Sequence, residues 1–321
     1  MKILINTSTD NNDMNRYGNK QEFLDAIKGL DGVELSYFGH HPNVGIIKDK
    51  VVGFHMNIPN YWYDFYTENE ESLKYEFDSM EKCYDYYGGN GKDTLIKRIR
   101  DELALALGFG AEYLVFHVAD CSFRESITFK YNHTHEEITD AAISLINEVF
   151  SDKNLSIKLL FENLWVPGLT FTSPEITKRL LDGIDYPDKG IMLDTGHLIH
   201  TNTSIRTQEE AIRYINEMLD SHKDVCCDII EYIKGIHLNQ SLSGEYIESM
   251  KNNSYIFKDT FEERYTQTFE HIFKMDKHEP FTCAGVSELI YRISPEYLVM
   301  EFITSDLEMQ NSYKKQQLAM I

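Results

Sequence analysis

Ionisable side chains follow several short apolar runs in this sequence of 321 residues. Four of these runs are LLF, IML, GI and LVM, and an earlier one is YLVF. Such groups are seldom buried unless they are paired or bound to a metal. One case has an ordinary structural explanation, but a set of five in equivalent places favours a shared role. The five are Glu162, Asp194, His237, Glu301 and His117.

The residue types in this set are those of a metal site. Imidazole nitrogens and carboxylate oxygens together suit Zn²⁺, Mn²⁺, Co²⁺ or Fe²⁺. Several carboxylates close together repel one another unless a cation neutralises them. If the runs are parallel strands whose ends converge, we expect these groups to meet at a divalent cation on rigid supports.

A second signal is the segment Asp194-Thr-Gly-His197, which begins at a predicted strand end. We expect His197 in a loop over the mouth of the barrel. A loop histidine that only bonds the backbone is the alternative.

The elements that must position these residues alternate regularly. Eight parallel strands joined by right-handed crossovers predict an α/β fold, a closed (β/α)₈ TIM barrel in a single domain over residues 1–321. Insertions near 59–92 and 240–275 should lie at the mouth. The predicted strands are 2–8, 33–38, 51–58, 111–119, 157–164, 190–197, 232–239 and 297–302, and the main predicted helices are 21–30, 70–108 with a break at 88–91, 134–150, 173–183, 207–222, 259–275 and 305–319.

Composition limits the function classes. The chain has 52 Asp and Glu against 31 Lys and Arg, a formal net charge of −21. This charge disfavours long nucleic acid as a partner but leaves a local basic patch open. The cysteine count of five is odd and the sequence has no CxxC motif, which favours a reduced, cytoplasmic protein. The adjacent Cys226 and Cys227 are predicted to pack at a helix end. We see no signal peptide and no membrane-spanning run, so we expect a small-molecule substrate and no membrane partner, with homo-oligomer formation left open.

The segments ENLWVPG, LDTGH, GIHLNQS and MEF are similar to those of the xylose-isomerase-like barrels. This superfamily joins sugar isomerases and epimerases with endonuclease IV. The resemblance covers nearly the whole chain in order. It implies that Glu162, Asp194, His237 and Glu301 share one divalent metal.

Other segments look more like endonuclease IV, which binds three metals. FHVADC resembles the strand that supplies a metal-binding histidine there, here His117. MDKHEPF resembles its D-x-H-E segment, which would make Asp276 and His278 ligands together with His197. Polar residues that merely end a helix are the alternative for Asp276 and His278.

The chain also departs from the endonuclease IV pattern. Gln240 stands where an Asp is usual, and the segment from His237 to Asp276 is longer. After the third strand, Asn60 to Tyr63 replace a histidine of that family, and His55 lies earlier in the predicted strand. The resemblance therefore leaves the substrate open.

The aromatic stretch 61–87 has two interpretations. It stacks a sugar ring or a base, or it forms the core of a lid. We expect substrate contacts from His55, Trp62, Tyr63 and Trp165.

Three functions follow from these residues. The acidic charge and long insertions favour an isomerase or epimerase of a small sugar, polyol or sugar phosphate, in which Glu162 and Glu301 exchange a proton as base and acid beside one metal. The alternative is a phosphoester hydrolase resembling endonuclease IV, with a multinuclear, zinc-type centre of up to three ions. The third is a non-catalytic barrel that binds a ligand.

Overall fold

The computed structural model describes residues 1–152, 154–223, 229–252 and 255–321. Eight parallel strands close into a barrel in chain order, with the last strand paired to the first. The predicted (β/α)₈ barrel is therefore confirmed, while the predicted packing of Cys226 and Cys227 lies outside the described residues. The strands are β1 (Lys2–Ser8), β2 (Gly32–Ser36), β3 (Val51–His55), β4 (Tyr113–His117), β5 (Lys158–Glu162), β6 (Lys189–Asp194), β7 (Ile233–Leu238) and β8 (Tyr297–Met300).

Helices lie between the strands, and 3₁₀ turns occupy Val44–Ile46 and Lys48–Lys50. The helices are α1 (Asn11–Met14), α2 (Lys20–Ala26), α3 (Tyr63–Tyr66), α4 (Glu70–Phe77), α5 (Met80–Tyr87), α6 (Lys92–Phe109), α7 (Phe123–Thr128), α8 (His135–Val149), α9 (Pro174–Gly183), α10 (Thr195–His200), α11 (Gln208–Ser221), α12 (Ile229–Tyr232), α13 (Gly244–Asn252), α14 (Phe261–Met275), α15 (Val286–Ile293) and α16 (Leu307–Leu318). No helix in the described ranges is long and apolar enough to cross a bilayer.

Local sequence signals explain where several helices begin. Thr134 and Glu137 form the predicted capping box at the start of α8, with both reciprocal hydrogen bonds present. Ser173 caps α9 ahead of Pro174 in its first turn. The predicted helical stretch 70–108 divides at 88–91 as expected and also at Asp78, whose left-handed backbone ends α4.

The core has two layers. Between the sheet and the helices lies a large apolar cluster, and inside the barrel lies a smaller one. A Cβ on Gly53 would lie 2.1 Å from the ring of Tyr113, so only glycine leaves that ring room inside the barrel. The smaller cluster consists of Leu4, Tyr113, Val115, Leu160, Met192, Tyr297 and Val299.

Seven of the eight strands, β2 to β8, end one to three residues earlier than predicted, and two of these differences change where candidate ligands lie. β6 ends at Asp194, and His197 lies in helix α10 rather than in a loop. The Asp194 carboxylate accepts the His197 backbone N–H at 2.6 Å, so it caps this helix directly after the strand. β3 ends at His55, which places that histidine at the barrel mouth.

Candidate metal centre

Four strand ends bring their ionisable side chains to one point. His237 Nδ1 lies 3.3 Å from Glu162 Oε2, 3.4 Å from Glu301 Oε2 and 3.9 Å from Asp194 Oδ2. One ligand atom from each of the four lies within 4.8 Å of every other, which is close enough to surround one metal ion. Glu162, Asp194 and His237 are fully buried, and the Glu301 side chain is 12% exposed.

A second group forms at the ends of β3, β4 and β5. The Nε2 atoms of His55 and His117 lie 3.0 and 3.2 Å from the same oxygen, Glu162 Oε2. We predicted that His55 contacts substrate; it lines a cavity at the barrel mouth and also belongs to this group of candidate ligands. The reason is that β3 ends at His55, so its side chain points to the centre rather than lying within a longer strand.

A third group lies after β6 and after α14. Asp276 Oδ2 is 3.3 Å from His197 Nε2 and 2.8 Å from His278 Nε2. Asp276 does end α14, yet its carboxylate is buried among imidazoles rather than exposed. His278 has φ of +48°, which is uncommon outside glycine, and Ser241 Oγ accepts the His278 N–H at 3.1 Å to hold this turn.

Glu162 lies beside histidines of all three groups. Its Oε2 faces His55, His117 and His237, and its Oε1 lies 3.1 Å from His197 Nδ1. The carboxylate is therefore enclosed by four imidazoles on both oxygens. Such a carboxylate would suit a site that holds more than one divalent cation.

In these histidines, one ring nitrogen is fixed by the protein while the other faces the centre. His55 Nδ1 lies 3.1 Å from Met56 O, and His117 Nδ1 lies 3.1 Å from Asn60 Oδ1. His197 Nδ1 lies 3.0 Å from Asn163 O as well as 3.1 Å from Glu162 Oε1, and its Nε2 faces Asp276. This arrangement selects the tautomer and orients the ring for a metal.

Several partners of the ligands were missed by sequence reasoning. Glu34 Oε1 lies 2.9 Å from His237 Nε2, and Tyr113 donates its hydroxyl proton to Glu34 Oε2 at 2.7 Å. His200 Nε2 lies 3.1 Å from Asp276, and Asn239 donates to Asp194 at 2.8 Å. The one available signal was the lone charge of Glu34 within the predicted strand at 33–38.

Glu162 and His237 hold each other ionised. Although burial opposes it, the imidazoles of His237, His117 and His197 hold the pKa of Glu162 well below its usual value. Burial also opposes protonation of His237, but Glu301, Glu34 and Glu162 raise its pKa well above the usual value. Burial raises the pKa of Glu301 to about 7 against the opposing effect of His237 and His278. Protons on the imidazoles thus neutralise the carboxylates, a task that divalent cations can take over.

The hydrogen bonding of these donor atoms also indicates that they fit metal ions. Buried polar atoms normally have hydrogen-bond partners. Among the described residues, however, four buried atoms of the candidate ligands make no hydrogen bond. They are His117 Nε2, Glu162 Oε1, His237 Nδ1 and His278 Nδ1.

A cavity of about 610 Å³ opens above the centre. Some of the predicted substrate contacts line this cavity, and others do not. Trp165 lines it and packs against His197 with ring centroids 5.0 Å apart. Trp62 does not line it, since the indole is buried and donates to Ala119 O at 2.7 Å. Tyr63 packs on His133 instead. For these two residues the lid-core interpretation fits better than stacking.

No protein-family model matches the sequence, and no curated protein sequence matches it. Among solved structures, the fold is similar to endonuclease IV from Thermus thermophilus, at 13% identity over 99% of this chain and 98% of that chain, with a TM-score of 0.52. It is also similar to 3-keto-D-glucoside 4-epimerase from E. coli, at 12% identity over 100% and 98%, with a TM-score of 0.52. The zinc-bound IOLI protein matches at 12% identity over 99% and 97%, with a TM-score of 0.51. The chain thus shares a closed (β/α)₈ barrel fold with these solved structures, which include a sugar epimerase and endonuclease IV.

Proposed function

We propose that this chain is a divalent-metal-dependent phosphoester hydrolase whose centre holds up to three ions. His55 and His117 would hold one ion with Glu162, and His197, Asp276 and His278 would hold another. Glu162 would be shared with the group that includes Asp194, His237 and Glu301. When bound, clustered divalent ions activate water and stabilise the attacking and leaving oxygens of displacement at phosphorus. The reaction transfers the oxygen of water to phosphorus, and the departing ester oxygen takes up a proton.

The observation that carries this proposal is the enclosure of Glu162. Each of its oxygens has an imidazole nitrogen at 3.0–3.3 Å, and the side chain is fully buried beneath the cavity. A shared carboxylate among several histidines supports a multinuclear centre, which suits phosphoryl transfer.

The burial of Glu162 counts against the isomerase. That reaction needs Glu162 and Glu301 to reach a substrate from opposite sides. Glu301 lines the cavity, whereas Glu162 does not. A single-metal isomerase would also leave His55, His117 and His278 without a task. Similarity to an epimerase at 12% identity supports the fold only.

Metal content tests the proposal. We expect purified protein, saturated with Zn²⁺ or Mn²⁺ and desalted, to retain about three ions per chain by elemental analysis. His278→Ala should lower this by about one ion, while His40→Ala, at an exposed histidine outside the site, should not. The loaded protein should hydrolyse bis(p-nitrophenyl) phosphate, and a chelator should abolish this activity. One ion per chain together with isomerisation of a sugar or polyol would contradict the proposal.

A further inference from the structure

The cavity above the metal centre has the size of a small-molecule site. Its volume of about 610 Å³ lies within the usual range for such sites, about 300–1,000 Å³. Six candidate ligands form its floor, so a phosphate held there would lie directly on the centre. They are His55, His117, His197, Asp276, His278 and Glu301.

The two long connections pack on each other at one side of the cavity. Phe261 at the start of α14 lies with its ring centroid 4.8 Å from that of Phe77 in α4. Arg264 donates to Glu76 O at 2.8 Å, and Thr268 donates to Phe123 O at 3.1 Å. These bonds join α14 to α4 and α7, and they fix a rigid wall beside the mouth.

This wall is aromatic on its inner side. Tyr265 and Phe269 of α14 line the cavity with ring centroids 4.7 Å apart, and Tyr86 and Phe123 extend the same surface. Phe269 is 37% exposed, so its ring is only partly covered by protein. An aromatic surface of this kind stacks flat rings of many types.

Positive charge is scarce around the cavity. Arg98 is the one Lys or Arg among the described residues that line it, and its guanidinium donates to Asn57 O at 2.7 Å. Duplex DNA is held by several such cations on successive phosphates. The cavity therefore offers a single anion site, the metal centre, beside an apolar wall.

We infer that the substrate is a small phosphate ester that carries a flat aromatic ring, rather than duplex nucleic acid. This inference rests on the proposed hydrolase function. The phosphate lies on the centre, and the ring lies against Tyr265 and Phe269. Phe269 is then a specificity residue that contacts the substrate without taking part in the chemistry.

Phenylphosphonate and methylphosphonate are a matched pair of probes for this inference, because neither is hydrolysed and they differ only in the ring. Calorimetry on the metal-loaded protein should show about tenfold tighter binding of phenylphosphonate. Phe269→Ala should remove this preference. Phe273→Ala is the control, since Phe273 lies one turn further along α14, is 58% exposed and does not line the cavity.

A DNA duplex with an abasic site provides a second test of this inference. We expect the loaded protein to hydrolyse thymidine 5′-(p-nitrophenyl) phosphate and not to bind or cleave the duplex. Equal binding of the two phosphonates, or preferential cleavage of the duplex, would overturn the substrate class while leaving the hydrolase function intact. Hydrolysis of neither ester nor duplex would instead contradict the hydrolase function itself.

Discussion

At the scale of single residues, the centre depends on groups that orient its ligands. His237 has one nitrogen on Glu34 and the other facing Glu162, Asp194 and Glu301. Glu34 is itself held by Tyr113 from inside the barrel. A carboxylate behind a metal-binding histidine fixes the ring and raises its basicity.

Glu34→Gln should therefore weaken metal binding about ten- to hundredfold, because the amide keeps the shape and removes the charge. Competition with a chromophoric chelator measures the affinity. Tyr113→Phe removes only the hydroxyl that holds Glu34 and should produce a smaller loss. Unchanged affinity in Glu34→Gln, with an unaltered circular dichroism spectrum, would show that Glu34 has no part in orienting His237.

At the scale of elements, helix α14 has two tasks. Its inner face supplies Tyr265 and Phe269 to the cavity, and its end delivers Asp276 to the third group. A long connection between β7 and β8 is therefore part of the site and not a surface decoration. The stability of this helix on the barrel should affect both metal binding and the shape of the cavity.

The packing of α14 should affect how the free energy of unfolding depends on pH, because this helix carries the buried His271. Burial, with a smaller effect of Lys274, lowers its pKa to about 4, although a backbone bond with Ser126 opposes the shift. Its ring lies beside Phe129 and the Tyr246 hydroxyl. The unfolded chain protonates histidine near pH 6.5. Between pH 6.5 and about 4 the unfolded state thus binds a proton that the folded state does not.

Stability should therefore fall as pH falls through this window, by up to about 1.4 kcal/mol per pH unit for this group. His271→Gln cannot take up the proton and should show a shallower decline. Urea unfolding of both proteins without metal at pH 6.5 and 5 measures the difference in slope. Parallel declines would mean that His271 stays accessible to protons in the folded protein.

At the scale of the whole molecule, the candidate metal centre connects segments from around the barrel. Its ligands come from β3, β4, β5, β6, α10, β7 and the segments that follow α14 and β8. Ions that bind these segments only when folded must stabilise the closed barrel by mass action.

Chelation should accordingly lower the Tm by several degrees, and added Zn²⁺ or Mn²⁺ should restore it in a concentration-dependent way. Scanning calorimetry with and without a chelator measures the shift. His278→Ala should show a smaller shift than His40→Ala, since one group of ligands is incomplete. A Tm that changes with neither chelator nor added metal would favour the non-catalytic barrel.

The sequence by itself determined the barrel and most of the candidate ligand residues. Alternating apolar runs and amphipathic stretches impose parallel strands, and a charge directly after an apolar run must lie at a strand end. That reasoning predicts the convergence of Glu162, Asp194, His237 and Glu301, which the structure places together. The resemblance to endonuclease IV added His197, Asp276 and His278.

Only the tertiary structure decided what surrounds each group. The end of β3 at His55 places this predicted substrate contact among the candidate ligands as well, and packing buries Trp62. The enclosure of Glu162 by four imidazoles is likewise invisible along the chain, because those histidines belong to separate elements. Spacing along a chain determines which end of a strand carries a charge, but distance in space depends on how the strands close and the connections pack.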